Sequence, residues 1–90
     1  MYKFLLYITG RRQKTLALIE ALKGFLSERF KDQYSLEIID VLENPRRAEE
    51  DMILATPTLV KSSPPPIRKI IGDFHNSQDL FALLNSTDLP

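Results

Sequence analysis

The first 42 residues alternate between strand-like and helical segments, and this order limits the folds open to the chain. Residues 2–8 are aromatic and aliphatic with little polar interruption, as in a strand covered on both faces. Residues 15–30 repeat apolar side chains at helical spacing, and residues 34–42 form a second strand-like run. A strand, a helix and a strand of these lengths predict a parallel βαβ unit with a right-handed crossover.

The predicted first helix has one apolar stripe, and its charged residues fall largely outside that stripe. The stripe consists of Leu16, Ile19, Leu22, Leu26 and Phe30, widened by Leu18 and Phe25. Because an amphipathic helix of a globular domain turns such a stripe inward, we expect it to face the core rather than a partner.

A Thr-Pro pair divides the second half of the chain. The residue before a proline is disfavoured in the α region, so Thr56 is predicted to end a second helix over residues 46–55. Pro57 has no N–H and suits the start of a strand over residues 58–61. A cis Thr56–Pro57 bond would make the reversal tight, and an ordinary trans turn is the alternative.

The remaining elements follow from cap and turn residues. Asn44-Pro45 is a favourable helix start, and the acidic residues at 49–51 are expected to lie in the early turns of the second helix. Strands over 58–61 and 67–71, joined by a proline-rich turn, predict an antiparallel hairpin. A polar segment at 76–79 predicts the cap of a third helix over 80–84.

Composition excludes several function classes. The chain of 90 residues has 12 basic and 12 acidic residues, so neither nucleic acid nor an anionic membrane is expected as a partner. The absence of cysteine excludes a disulfide framework, a thiolate metal site and thiol redox chemistry. The length predicts a single domain over residues 1–90. With no long apolar run and no signal-like N-terminus, we expect a soluble, cytoplasmic protein.

No catalytic pattern is recognisable in the sequence. It has no Ser-His-Asp order, no glycine-rich phosphate loop and no HExxH motif. His75 has no evident set of metal-ligating neighbours and is interpreted as a surface loop residue. Asp40 and Asp73 could form a carboxylate pair, but at strand ends turn and cap roles are more common. We therefore predict no catalytic residue, no metal and no cofactor.

Four segments of the sequence resemble the KaiB family of circadian clock proteins. They are LYITG at 6–10, IDVLENP at 39–45, AEEDMILATPTL at 48–59 and PPPIRKIIGD at 64–73. The resemblance extends from residue 2 to about residue 84. It implies a thioredoxin-like α/β fold of order βαβαββα, with a four-stranded mixed sheet and three helices. The loop at 10–14, where thioredoxins carry Cys-x-x-Cys, has no cysteine here.

The resemblance also implies a function. Family members are non-enzymatic regulators that dock on the ring of the hexameric ATPase KaiC, where they compete with an output histidine kinase and can sequester other clock proteins, such as KaiA. The residues implied in partner binding are Arg46, Arg47, Glu50, Asp51, Met52 and Glu37. Without the resemblance, the charged residues of the second helix would be interpreted as a solvated face. Cyanobacterial members often carry lysine at positions 37 and 52, and Glu37 disfavours a KaiA-like partner.

The family is known for two folds of one chain. One is a thioredoxin-like monomer that binds partners, and the other is a tetrameric ground state in which the half after about residue 50 is rebuilt. The apolar runs 53–55 and 80–84 are compatible with helix or strand, and two packings that differ by a few kcal/mol can coexist. The implied switch or structural residues are Pro57, Pro64, Pro65, Pro66, Gly72 and Asp73. Helix propensity at 80–84 favours the thioredoxin-like form.

One edge of the predicted sheet could bind a partner, and two alternative functions remain open. The strand over 35–41 would be an edge of a sheet of order 2-1-3-4, open to strand addition by a partner, although Glu37 and Asp40 would also protect it from aggregation. The chain could be a thioredoxin-fold enzyme with a non-thiol site, such as a glutathione-handling domain. It could also be a sensor domain related to the KaiB-like input module of the output kinase.

Overall fold

The computed structural model describes residues 1–72, which contain four strands and two helices. They are β1 (Tyr2–Ile8), α1 (Gln13–Phe30), β2 (Tyr34–Asp40), α2 (Pro45–Glu50), β3 (Thr58–Ser63) and β4 (Arg68–Ile71). The predicted order is confirmed as far as β4. Asp73, His75, the predicted cap at 76–79 and the predicted third helix at 80–84 lie outside the described residues.

The four strands form one mixed sheet of order β2-β1-β3-β4. β1 and β2 are parallel, with Tyr2 opposite Tyr34 and Ile8 opposite Asp40. β3 is antiparallel to both β1 and β4. The predicted βαβ unit, the hairpin and the strand order are therefore confirmed, and within residues 1–72 the sheet edges are β2 and β4.

One face of the sheet carries the larger core, beneath α1. The buried residues of this core are Phe4, Leu6, Ile8, Leu18, Ile19, Leu22, Leu26 and Leu59. The predicted stripe is confirmed except at Leu16, which is 45% exposed. With 3.6 residues per turn, position 16 lies roughly 100° from the centre of the buried stripe, so its side chain points away from the sheet.

The opposite face carries a smaller core beneath α2. Tyr7, Ile39, Ala48 and Val60 are buried there, and Leu5, Val41 and Ile53 pack against them. Ala48 is the only buried residue of α2. A six-residue helix with one small buried side chain contributes little apolar burial of its own, so other contacts must hold it on the sheet.

Several predicted boundaries are wrong by a few residues. α1 begins at Gln13, β3 extends to Ser63, and β4 begins at Arg68. β2 ends at Asp40 rather than at residue 42, because the Asp40 carboxylate accepts hydrogen bonds from the backbone N–H of Leu42 at 3.0 Å and of Gly10 at 3.3 Å. These two bonds turn the chain out of the sheet and join it to the loop that follows β1.

The largest correction concerns α2, which ends at Glu50 and not at residue 55. The acidic residues at 49–51 therefore lie at the C-terminal end of the helix instead of in its early turns. Asn44 precedes the helix as expected but makes no side-chain cap; its amide instead donates to the Asp40 carbonyl at 3.2 Å.

Replacing Gly24 by alanine is expected to raise the free energy of unfolding by about 1 kcal/mol, since glycine is a poor helix former. Gly24 lies on the exposed side of α1, and a Cβ added there meets no atom within 4 Å. Urea unfolding of the two proteins measures the difference. Gly72→Ala is the control: its φ of +104° is strained for any side chain, so that substitution should destabilise the protein.

Candidate functional site

The C-terminal end of α2 is a Schellman motif with methionine at the position usually taken by glycine. The N–H of Met52 donates to the Glu49 carbonyl at 3.0 Å, and the N–H of Ile53 donates to the Ala48 carbonyl at 2.8 Å. Met52 has a φ of 55°, in the left-handed region that this motif requires. The motif reverses the chain so that Ile53 packs on the small core while Met52 projects outward.

A polar contact from the sheet holds this end of α2. Tyr7 is fully buried, and its hydroxyl donates a hydrogen bond to the Asp51 carboxylate. Burial, followed by this hydrogen bond and the negative charge of Asp51, raises the pKa of Tyr7 to about 12. The ammonium of Lys69, on β4, donates to the Asp51 carbonyl. Asp51 thus connects α2 to β1 and β4.

An ion pair joins the middle of α2 to edge strand β2. The Arg47 guanidinium binds both carboxylate oxygens of Glu37, at 2.6 and 3.1 Å. The hydrogen bond from Arg47 lowers the pKa of Glu37 and raises the pKa of Arg47. Both side chains are partly exposed, so solvent screens the pair and its contribution to stability is small. The main effect of the pair is to fix the orientation of the Arg47 and Glu37 side chains.

Large apolar side chains are exposed around α2. Leu42 is 69% exposed, Met52 is 72% exposed and Leu54 is 91% exposed. Met52 and Leu54 line a groove of about 710 Å³, and Leu42 directly follows Val41, another lining residue. Exposed apolar side chains grouped within a polar rim are typical of protein interaction sites. We call the surface formed by Leu42, Arg46, Arg47, Glu49, Glu50, Met52 and Leu54 the α2 face.

The structure thus brings together most of the residues predicted to bind partners. Arg46, Arg47, Glu50 and Met52 all lie on the α2 face, and Glu37 joins it through Arg47. Asp51 lies beneath this face, bound to Tyr7. Whether any of them contacts a partner stays a prediction.

The residues predicted to act in a switch lie at two ends of the hairpin. Pro57 and Gly72 meet at the end nearest α2, where the Gly72 N–H donates to the Pro57 carbonyl at 2.9 Å. Pro64, Pro65 and Pro66 are exposed at the opposite end. The peptide bonds preceding Pro57, Pro64 and Pro66 are cis.

Four residues of this site were not predicted from the sequence. They are the exposed Leu42 and Leu54 and the two partners of Asp51, Tyr7 and Lys69. Leu54 carried a usable signal. It directly follows Ile53, and when one of two adjacent apolar residues points into the core from a short reversal, the other points toward solvent. The contacts of Tyr7 and Lys69 with Asp51 had no signal, because they join residues 44 and 18 positions apart.

Residues 1–72 contain neither a candidate metal site nor a candidate membrane-spanning helix. No group of three or more histidine or acidic side chains in this part of the chain could hold a metal ion. None of its helices is long and apolar enough to cross a membrane. That the chain has no catalytic residue stays a prediction.

Met52→Gly is expected to increase the free energy of unfolding by about 1 kcal/mol, because glycine adopts a left-handed conformation without the steric cost that a side chain incurs. The measurement is urea unfolding. Glu50→Gly, two residues earlier and within the helix, is the matched control and should destabilise by about the same amount. Equal destabilisation by both substitutions would contradict the role given to Met52.

Comparison with known proteins shows both a sequence family and a fold. A family model described as the KaiB domain matches residues 5–86. The circadian clock oscillator protein KaiB of Microcystis aeruginosa is 49% identical to the chain over 77 residues, covering 86% of this chain and 74% of that protein.

Two solved structures resemble the fold. The N-terminal domain of Synechococcus elongatus SasA superimposes with a TM-score of 0.76 at 22% identity, covering 94% of this chain and 84% of that one. Mitochondrial thioredoxin 3 of Saccharomyces cerevisiae gives 0.70 at 20% identity, covering 97% and 76% of the two chains. At these identities the likeness shows a thioredoxin-like fold alone, which confirms the predicted fold class.

Proposed function

The chain belongs to the KaiB family of circadian clock proteins, and from that premise we propose that it is a non-catalytic clock regulator that binds the ring of a KaiC-like hexameric ATPase. The proposed contact surface is the α2 face. The observation that carries this proposal is the exposure of Met52 and Leu54 along one groove, with exposed Leu42 next in sequence to Val41, which also lines it. Large apolar side chains that are exposed together along a groove are typical of protein interaction sites.

The composition of the α2 face supports a protein partner. Its apolar centre, Met52 and Leu54, can supply the desolvated contacts that dominate binding energy. The exposed charges of Arg46, Glu49 and Glu50 can form the polar rim around that centre. Because these charges are of both signs, the face needs a partner of mixed charge rather than a strongly basic or acidic one.

A KaiA-like protein is proposed only as a secondary partner, and the Glu37–Arg47 ion pair is the reason. A partner that approaches edge strand β2 must either accommodate this pair or separate it. The output histidine kinase is proposed as a competitor for the ring. Its support is the family to which the chain belongs, whose members compete with that kinase for the ring.

We propose further that the thioredoxin-like form binds as a monomer and that a rebuilt, tetrameric form of the second half is accessible. The two cores differ in a way that supports this. The βαβ half buries the larger core under an 18-residue helix, whereas α2 has six residues and one buried side chain. Since polar contacts largely hold α2 on the sheet, a rearrangement of α2 would expose little apolar surface.

Size-exclusion chromatography of the full chain with a KaiC-like hexamer tests the proposal. After incubation for hours with ATP or with ADP, the protein is expected to elute with the hexamer. Separate elution under both conditions would count against a clock-regulator function. A parallel run with excess isolated input domain of the output kinase is expected to reduce the co-eluting fraction if the two compete for the ring.

A further inference from the structure

A second cavity lies beside the start of α1. It has a volume of about 500 Å³, and its walls include Thr9, Thr56 and Pro57. The hydroxyls of Thr9 and Thr56 are 2.6 Å apart, and both residues also line the groove of the α2 face. Since small-molecule sites typically enclose 300–1,000 Å³, the cavity is large enough for a compact organic ligand.

The charged side chains around this cavity are all basic. Arg12 and Lys14 line it, and Arg11 adjoins them in sequence. Within the described part of the chain, none of the three forms an ion pair, and no acidic residue lines the cavity. An anion bound in the cavity would be attracted by Arg12 and Lys14 together.

The remaining wall combines hydroxyl groups with apolar surface. The Thr15 hydroxyl, and whichever hydroxyl of the Thr9–Thr56 pair is the acceptor in their mutual hydrogen bond, can donate to anionic oxygens. Leu18 and Pro57 supply an apolar part. A ligand matched to both would carry several negatively charged oxygens at one end and a small apolar body at the other.

We propose that this cavity binds a phosphomonoester with a small apolar body. A phosphomonoester has a charge of about −1.5 to −2 near neutral pH and three strong acceptor oxygens. The Arg12 guanidinium can bind two of these oxygens in parallel, and the Lys14 ammonium can balance the remaining charge. A monocarboxylate would leave one cation without a counterion, so it fits less well.

Titration of the full-length protein with phenyl phosphate, followed by amide NMR, tests the proposal. Saturable shifts at the residues lining the cavity are expected, with a Kd of about 1 mM or lower. Inorganic phosphate, which lacks the apolar body, and phenylacetate, which has one carboxylate, should each bind roughly tenfold more weakly. Equal binding of phenylacetate would overturn the choice of phosphate, and shifts confined to other surfaces would overturn the site.

Two charge variants and one matched control complete the test. Arg12→Gln and Lys14→Gln should each weaken binding of phenyl phosphate about fivefold or more, since each removes one cation from the cavity. Lys23→Gln removes the same charge from α1 outside the cavity, where Lys23 lies 3.9 Å from Glu20. It should change the affinity less than twofold. Equal weakening by all three variants would show a net-charge effect and overturn the site, whatever the result of the KaiC binding test.

Discussion

Leu54→Asp is expected to weaken binding to a KaiC-like hexamer by about 30-fold or more, which corresponds to the loss of an interface hot spot of about 2 kcal/mol. Leu54 is 91% exposed and lines the groove of the α2 face, so it can enter a partner surface without rearrangement of the fold. An aspartate at that position would have to be desolvated on binding. Biolayer interferometry on the immobilised hexamer measures the change.

Ile67→Asp is the matched control for Leu54→Asp. Ile67 is also a large exposed apolar residue, at 63%, but it lies beside the prolines at the far end of the hairpin. We expect this control to change the affinity less than twofold. Because both residues are exposed, neither substitution should lower the free energy of unfolding by more than about 0.5 kcal/mol. Loss of binding in the control, with Leu54→Asp unaffected, would place the docking surface at the other end of the sheet.

Tyr7→Phe is expected to lower the free energy of unfolding by about 1–2 kcal/mol. The substitution removes the hydrogen bond that joins the sheet to Asp51, and it leaves that half-buried carboxylate without its buried donor. Urea unfolding gives the magnitude, and amide hydrogen exchange gives its location. Exchange should accelerate most in α2, since this contact fixes the C-terminal end of that helix.

Tyr34→Phe removes a comparable hydroxyl at an exposed site, where it lies 2.7 Å from the Ser27 hydroxyl. Its expected effect is below about 0.5 kcal/mol. Equal effects of the two substitutions, or an acceleration of exchange spread evenly over α1 and α2, would contradict the role assigned to Tyr7.

The pH dependence of stability gives an independent test of the same contact. The pKa of Tyr7 is raised to about 12 from an ordinary value of 10, so the folded protein holds this proton more tightly than the unfolded chain. The stability that Tyr7 contributes is therefore fully present below pH 10 and is lost as the pH rises toward 12. Tyr7→Phe should lack this component, and the difference in unfolding free energy between the two proteins should shrink over that interval.

The sheet was predictable because its signals are local and mutually consistent. A parallel βαβ unit is predicted consistently by the apolar run of β1, the helical stripe of α1 and the apolar run of β2. The prolines at 64–66 indicate the turn of the hairpin. The family resemblance identified the thioredoxin-like arrangement of these elements. Leu16 was misplaced because it follows the i, i+3 spacing of the stripe but lies roughly 100° from the centre of the face that α1 buries.

The end of α2 was less predictable because its cause is a backbone conformation. Residues 51–55 have ordinary helical composition, and no glycine marks the left-handed position that Met52 occupies. Predicting a helix to residue 55 placed Leu54 on a helix and concealed its exposure. The chemistry of Asp51 was equally inaccessible, because its partners Tyr7 and Lys69 come from distant strands.

Hydrogen exchange of the protein in complex with a KaiC-like hexamer tests the central claim most directly, because it shows which surface the partner covers. We predict that binding slows amide exchange at residues 42–54, which include α2 and the two leucines of the α2 face, and leaves the outward face of α1 unchanged. Slower exchange along α1 or at the prolines of the hairpin, with residues 42–54 exchanging as in the free protein, would contradict it.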